Sequence, residues 1–179
     1  MERSTFWELI ERSRKGAKSD PWEQTEILRS LLEKLPAEEI VGFKRIMNQL
    51  MAESYRADLW GVAFLINGGC SDDGFDYFRG WLIAQGSDVF EAALGQPDSL
   101  ADFAADGDSE LEGILYVASQ AYEAKTKDAD FYSAVGAPPD IGLIGDLSAW
   151  ATEDGDIDES KARRLFPRVY AKYWTREGR

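Results

Sequence analysis

Apolar positions in the first half of the chain recur at three- and four-residue steps, the period of an amphipathic helix. Thr5 and Glu8 have the spacing of a capping box, and Phe6, Leu9 and Ile10 follow, so a first helix is expected from Thr5. In SDPWEQTEILRSLLEKL, Asp20 suits an N-cap, Pro21 the first helical position and Glu23 the reciprocal cap. Trp22, Ile27, Leu28, Leu31, Leu32 and Leu35 then make an apolar stripe. Pro36 breaks that helix and opens another, carrying Ile40, Phe43, Ile46, Met47, Leu50 and Met51. Strand alternation is absent from this half.

Leu59 to Ile66 is apolar on every side, which predicts a short central helix packed on more than one face. Gly68-Gly69 stops it, since glycine takes the left-handed conformation at a helix end without steric cost. Ser71 is expected to cap a helix over Asp72 to Gln85, ended by Gly86, and Ser87 to cap a further one through Leu94. GQPDSL reads as a turn, and Ser109 with Glu112 as another capping box before ILYVASQAYEAKTK. Beyond Lys127 the pattern weakens. VGAPPDIGLIG is a loop, Asp146 heads a short helix with Leu147 and Trp150, EDGDIDES is a loop, and KARRLFPRVYAKYW is a terminal helix interrupted near Pro167. The expectation is an all-α bundle of about seven or eight helices in a single domain over 1–179, with a helical core over 1–127 and a loop-rich end.

Composition narrows the function. A hydrophobic fraction of 44% and an aromatic fraction of 12% in 179 residues are those of a folded chain. The start lacks the apolar run of a signal peptide, and Leu59–Ile66 is far short of a membrane span, so a soluble cytoplasmic protein is expected. One cysteine, Cys70, excludes an internal disulfide and a cysteine zinc cluster. There is no histidine, which removes Ser-His-Asp and Cys-His catalysis and histidine metal sites. No cofactor or metal is expected.

Charge is uneven within a net of −13. Asp98 to Glu159 holds sixteen acidic and two basic residues, whereas Ser160 to Arg179 holds seven basic and one acidic. So much negative charge repels phosphates and argues against nucleic acid; it suits a basic protein partner. The basic end is expected to fold back on the acidic stretch. No feature sets an oligomeric state.

The densest candidate chemistry lies between Arg56 and Trp81. Cys70, just before the Ser71 cap and opposite Phe75 in a staple arrangement, reads as a buried structural thiol, because Asp72 and Asp73 oppose thiolate formation. Asp72, Asp73 and Asp76 read either as an acid/base or cation site, or as dipole-complementing carboxylates with Asp76 paired to Arg79. Phe75, Phe78 and Leu82 share one face; Tyr77, Arg79 and Trp81 are the residue types of binding hot spots and are expected to line a groove. Arg56, Asp58, Trp60 and Asn67 complete the candidate set. EDGDIDES approaches a calcium loop in composition but lacks a glycine at the position that loop requires.

FWELIERS, YRADLWGVAFLINGGCSDDGFDYFRGWLIAQG, QPDSLAD and YVASQAYEAKT, in that order over about Thr5 to Thr126, resemble a bacterial family defined as domain of unknown function 4240, and RRLFPRVYAKYW resembles its usual ending. The resemblance implies a small helical cytoplasmic domain and carries no catalytic residues. The leading expectation is a non-catalytic interaction module of adaptor, inhibitor or immunity type. The alternative is a small-molecule binder or carboxylate-based enzyme, whose mark would be convergence of these polar side chains in one concave site.

Overall fold

The computed structural model describes residues 1–18, 20–103, 109–127 and 130–174. Residues 104–108, 128–129 and 175–179, parts of the acidic stretch and of the basic end, lie outside the described residues. The fold is all-α: among the described residues no strand forms, and the only ladder contacts are isolated bridges from Arg56 to Ile144 and from Ala151 to Ile157. The helices are α1 (Arg3–Ala17), α2 (Pro21–Leu32), α3 (Ala37–Glu53), α4 (Ala57–Asn67), α5 (Asp72–Ala84), α6 (Ser87–Gly95), α7 (Val117–Thr126), α8 (Phe131–Val135), α9 (Glu159–Leu165) and α10 (Pro167–Val169). Three-residue-per-turn segments cover Pro97–Asp102, Glu112–Leu115 and Leu147–Ala149, and a wider turn over Tyr170–Trp174 continues α10.

Several local signals act as the sequence suggests. Asp20 accepts from the N–H groups of Trp22 and Glu23, Ser71 from Gly74 and Asp146 from Ser148. Gly68 ends α4 at φ 73°, and Pro167 separates α9 from α10. Helix α4 is central: it meets α5, the 97–102 turn, the 147–149 turn and the terminal segment, which is why it is apolar all round. Stacked Phe6 and Phe43, with centroids 4.5 Å apart, join α1 to α3, and α7 packs on α2 and α3.

Five expectations are corrected by tertiary context. Helix α1 starts at Arg3, not at Thr5; Phe6 N–H bonds Glu2 O at 3.1 Å while Arg3 pairs with Glu53 and Glu91 at 2.7 and 3.2 Å, holding the earlier turn helical. Trp22 is 74% exposed and leaves the α2 stripe. Gln24 and Thr25 are buried in its place, because Gln24 donates to Ala84 O at 2.9 Å and Thr25 to Pro21 O at 3.0 Å. Gly86, at φ 95°, occupies the cap position of α6, and Ser87 is its first helical residue. Ser109 and Glu112 form no capping box: Ser109 is buried, its N–H donates to Asn67 Oδ1 at 3.0 Å, and Glu112 opens a tight turn ahead of α7. GQPDSL likewise runs directly into the helical segment Pro97–Asp102.

The basic end folds back as expected. Arg168 pairs with Asp102, Lys172 Nζ donates to Ala101 O at 2.7 Å, and buried Asp98 accepts the N–H groups of Arg168 and Val169 at 3.1 and 2.9 Å. Asp98 thus caps α10 from seventy residues away in sequence. Among the described residues, no helix is long and apolar enough to cross a membrane.

Candidate functional site

Helix α3 carries Lys44, Asn48 and Met51 at successive four- and three-residue steps, and Tyr55 continues that face just beyond its end. Helix α5 carries Asp72, Asp76 and Arg79 on one face, with Asp73 beside them. These two faces, with Trp60 of α4 and the loop residues Pro138, Pro139 and Ile141, enclose an open cleft of about 510 Å³. The loop is tied at both ends. Arg45 donates to Val135 O and Ala134 O at 3.0 and 2.8 Å; Ile144 N–H donates to Tyr55 O at 3.0 Å and Ala57 N–H to Ile144 O at 2.9 Å.

Arg79 forms part of the cleft floor and is only 7% exposed. Its guanidinium lies over the rings of Tyr55 and Phe75, 4.8 and 5.0 Å from their centroids, and bonds Met51 O in the last turn of α3 and the Asp76 carboxylate. A cation at a helix C-terminus, over two neighbouring aromatic rings and beside a carboxylate, is stabilised by all three. Its Nε is buried and has no hydrogen-bond partner. The expected Asp76–Arg79 pair is therefore present, and it anchors the wall of the cleft.

Trp60 donates its indole N–H to Cys70 O at 3.1 Å and stacks on Phe75 with centroids 4.7 Å apart, leaving an edge toward the cleft. Asp72 and Asp73 are exposed at its mouth, and neither has a cationic partner among the described residues. Across from them, Lys44 donates to Leu115 O at 3.0 Å, and burial pushes its pKa down.

Five of the ten candidate residues thus meet in one concavity: Trp60, Asp72, Asp73, Asp76 and Arg79. Trp81 does not join them. It is 7% exposed and packs on Phe78 with centroids 5.5 Å apart, so of the three residues expected to line a groove this one is part of the core. Arg56 and Asp58 pair with each other at 2.7 Å outside the cleft. Asn67 receives Ser109 N–H and ties down the stretch before the 112–115 turn. Tyr77 is not in the cleft lining; it lies beside it, near Glu112, Tyr116 and Asp73 of the cleft mouth.

Lys44, Asn48, Tyr55 and the Pro138–Ile141 segment escaped the sequence reading. The α3 residues had a signal, a polar-aromatic face at helical steps along one side of the core stripe; the loop had none, since only the fold carries it to α3.

Cys70 is half-buried, not fully buried, and its thiol is pushed up to about 12 by burial, then by Glu110 and Asp72. A thiol so held is a poor nucleophile. Among the described residues no group of three acidic or cysteine side chains is placed to hold a metal ion. In EDGDIDES the carboxylates bond local backbone instead: Asp158 accepts from Ser160 and Lys161, and Asp156 from Ile157.

The molecule is thus a helical domain with an acidic, aromatic-walled cleft between two helices. The chain belongs to the family described as Protein of unknown function (DUF4240), whose model matches residues 1–124 and so takes in every residue of α3, α4 and α5 that lines the cleft. No curated protein and no solved structure matches the chain.

Proposed function

We propose that this protein is a non-catalytic interaction domain and that its cleft receives a cationic segment of a basic protein. The observation that carries this reading is the pair Asp72 and Asp73, exposed and without cationic partners among the described residues, at the mouth of a cleft walled by Trp60 and Tyr55. Carboxylates attract an ammonium or guanidinium group through its charge, and the aromatic walls beside them offer its alkyl stem an apolar surface. Arg79 does not compete for the two carboxylates, because Asp76 and Met51 O hold it in the wall. Net charge −13 adds long-range steering toward a positively charged partner.

The test is affinity capture of the tagged chain from its host, beside the variant Asp72→Asn with Asp73→Asn, at low and moderate salt. A basic protein retained stoichiometrically by the parent, shed as salt rises and lost by the variant is the expected result. A partner held equally by the variant, or no partner at either salt, overturns the proposal.

A second reading draws on Lys44, whose ammonium is at the same cleft and forms no ion pair among the described residues. A small ligand bearing both an amino and a carboxylate group would meet Asp72 and Asp73 at one end and Lys44 at the other. This reading expects thermal stabilisation by free amino acids that is lost in Lys44→Met; absence of any such shift rejects it.

A further inference from the structure

Gly80 shapes a second feature beside the cleft. A Cβ there would stand 3.0 Å from Leu111 O and 3.0 Å from Ile114 Cγ2, so only glycine lets the Glu112–Leu115 turn lie directly on α5. The same approach lets Leu111 N–H bond Tyr77 O at 3.0 Å. The result is a cluster of polar aromatic side chains next to the acidic mouth. Tyr116 Oη lies 3.4 Å from Glu112 Oε1, and Tyr116 follows Leu115, which itself lines the cleft. Tyr132 extends the patch from α8, whose Phe131 is buried against Tyr122 with centroids 5.1 Å apart. The electrostatic neighbours are consistent with this placement: the Tyr116 hydroxyl is pushed up first by Glu112 and then, among others, by Tyr132 and Asp73. Tyr116 and Tyr132 are 43% and 59% exposed and, with Trp22 and Phe103, are the four exposed aromatic side chains among the described residues.

Resting on the proposed function, we infer that the cleft is one end of a longer contact surface, and that Tyr77, Tyr116 and Tyr132 continue it as a strip that selects arginine over lysine in an extended basic segment. Charge complementarity names the occupant: Asp72, Asp73 and Glu112 border the strip, whereas the nearby cations Lys44 and Arg79 are bonded to backbone carbonyls. Carboxylates alone attract lysine and arginine alike. Tyrosine faces separate them, because a planar, weakly hydrated guanidinium stacks on a ring while an ammonium keeps its water. Tyrosine also offers a rigid contact at small entropic cost, which suits a binding surface.

The test is fluorescence anisotropy of the full chain with labelled deca-arginine and deca-lysine, peptides of equal charge. The parent is expected to bind deca-arginine about tenfold more tightly. Tyr116→Ser with Tyr132→Ser, at exposed positions that leave the melting temperature unchanged, is expected to equalise the two peptides, and Tyr116→Phe with Tyr132→Phe to keep the preference. Equal affinities in the parent, or a preference that survives the serine pair, overturn the inference. If Asp72→Asn with Asp73→Asn still weakens both peptides in that case, the cleft reading stands without it. If that acidic-pair variant changes neither affinity, the cleft reading fails and the inference falls with it.

Discussion

The indole of Trp150 lies directly on the backbone of Gly61. A Cβ at Gly61 would be 2.9 Å from Trp150 Cδ1 and 2.9 Å from Phe166 Cε2, and Trp150 Nε1 donates to Ala57 O at 2.6 Å one turn earlier. This contact seats the loop-rich C-terminal third on the central helix. Side chain and backbone are matched so closely that an added carbon would have to displace one of the two rings.

Gly61→Ala therefore sets two effects against each other. Alanine favours the helix by about 1 kcal/mol, while overpacking against two aromatic rings costs about 1–3 kcal/mol. The expected outcome is a lower urea midpoint. Gly95→Ala, where an added Cβ meets nothing within 4 Å, is expected to be neutral or stabilising. A Gly61→Ala protein at least as stable as Gly95→Ala would remove the tight contact.

Arg79 holds the cleft wall through charge and shape together. Arg79→Met leaves Met51 O without its donor and Asp76 without its cation, and the loss is expected to be about 1–3 kcal/mol. Arg79→Lys keeps the charge but not the fork, so it is expected to recover only part of that loss. Asp76→Asn, on a half-exposed partner, is expected to cost less than either. Equilibrium urea unfolding of the three variants checks the order.

Asp98 ties the basic end to the acidic stretch through the N-terminus of α10. Asp98→Ala is expected to cost about 1–2 kcal/mol, the value of a helix cap, and to expose the chain after Leu165 to limited proteolysis before the rest unfolds. Unchanged protection of that segment would show that Val169 and Phe166 packing alone retains it.

Cys70 gives the pH dependence its sign. The unfolded thiol ionises at its ordinary value of 9.0, while the folded one keeps its proton to about 12. Between those values the folded chain binds more protons than the unfolded chain, so stability falls as pH rises through the window, and Cys70→Ala flattens that slope. At mildly alkaline pH the native protein holds on the order of a thousandfold less thiolate than the urea-unfolded chain. Iodoacetamide labelling is expected to be correspondingly slow until urea is added. Rapid labelling of the native protein would contradict the buried setting of the thiol.

The sequence by itself determined the helical class and most of the punctuation. Asp20, Ser71, Gly68 and Pro167 act through bonds and torsions within a few residues, and the all-apolar run over Leu59–Ile66 has no stable place except the centre of a bundle. The Asp76–Arg79 pair was legible for the same reason, as neighbours on one helix face. Tertiary structure alone decided what depends on distant partners. Trp22 and Trp81 are both aromatic residues on amphipathic helices, yet one faces solvent and the other the core, because Gln24 and Thr25 found bonds inside and Phe78 found a neighbouring ring. Asp98 reads as one more acidic residue until α10 arrives to be capped. Local periodicity fixes which residues share a face; only packing fixes what that face meets, and the meeting of the α3 and α5 faces under the 136–144 loop makes the cleft.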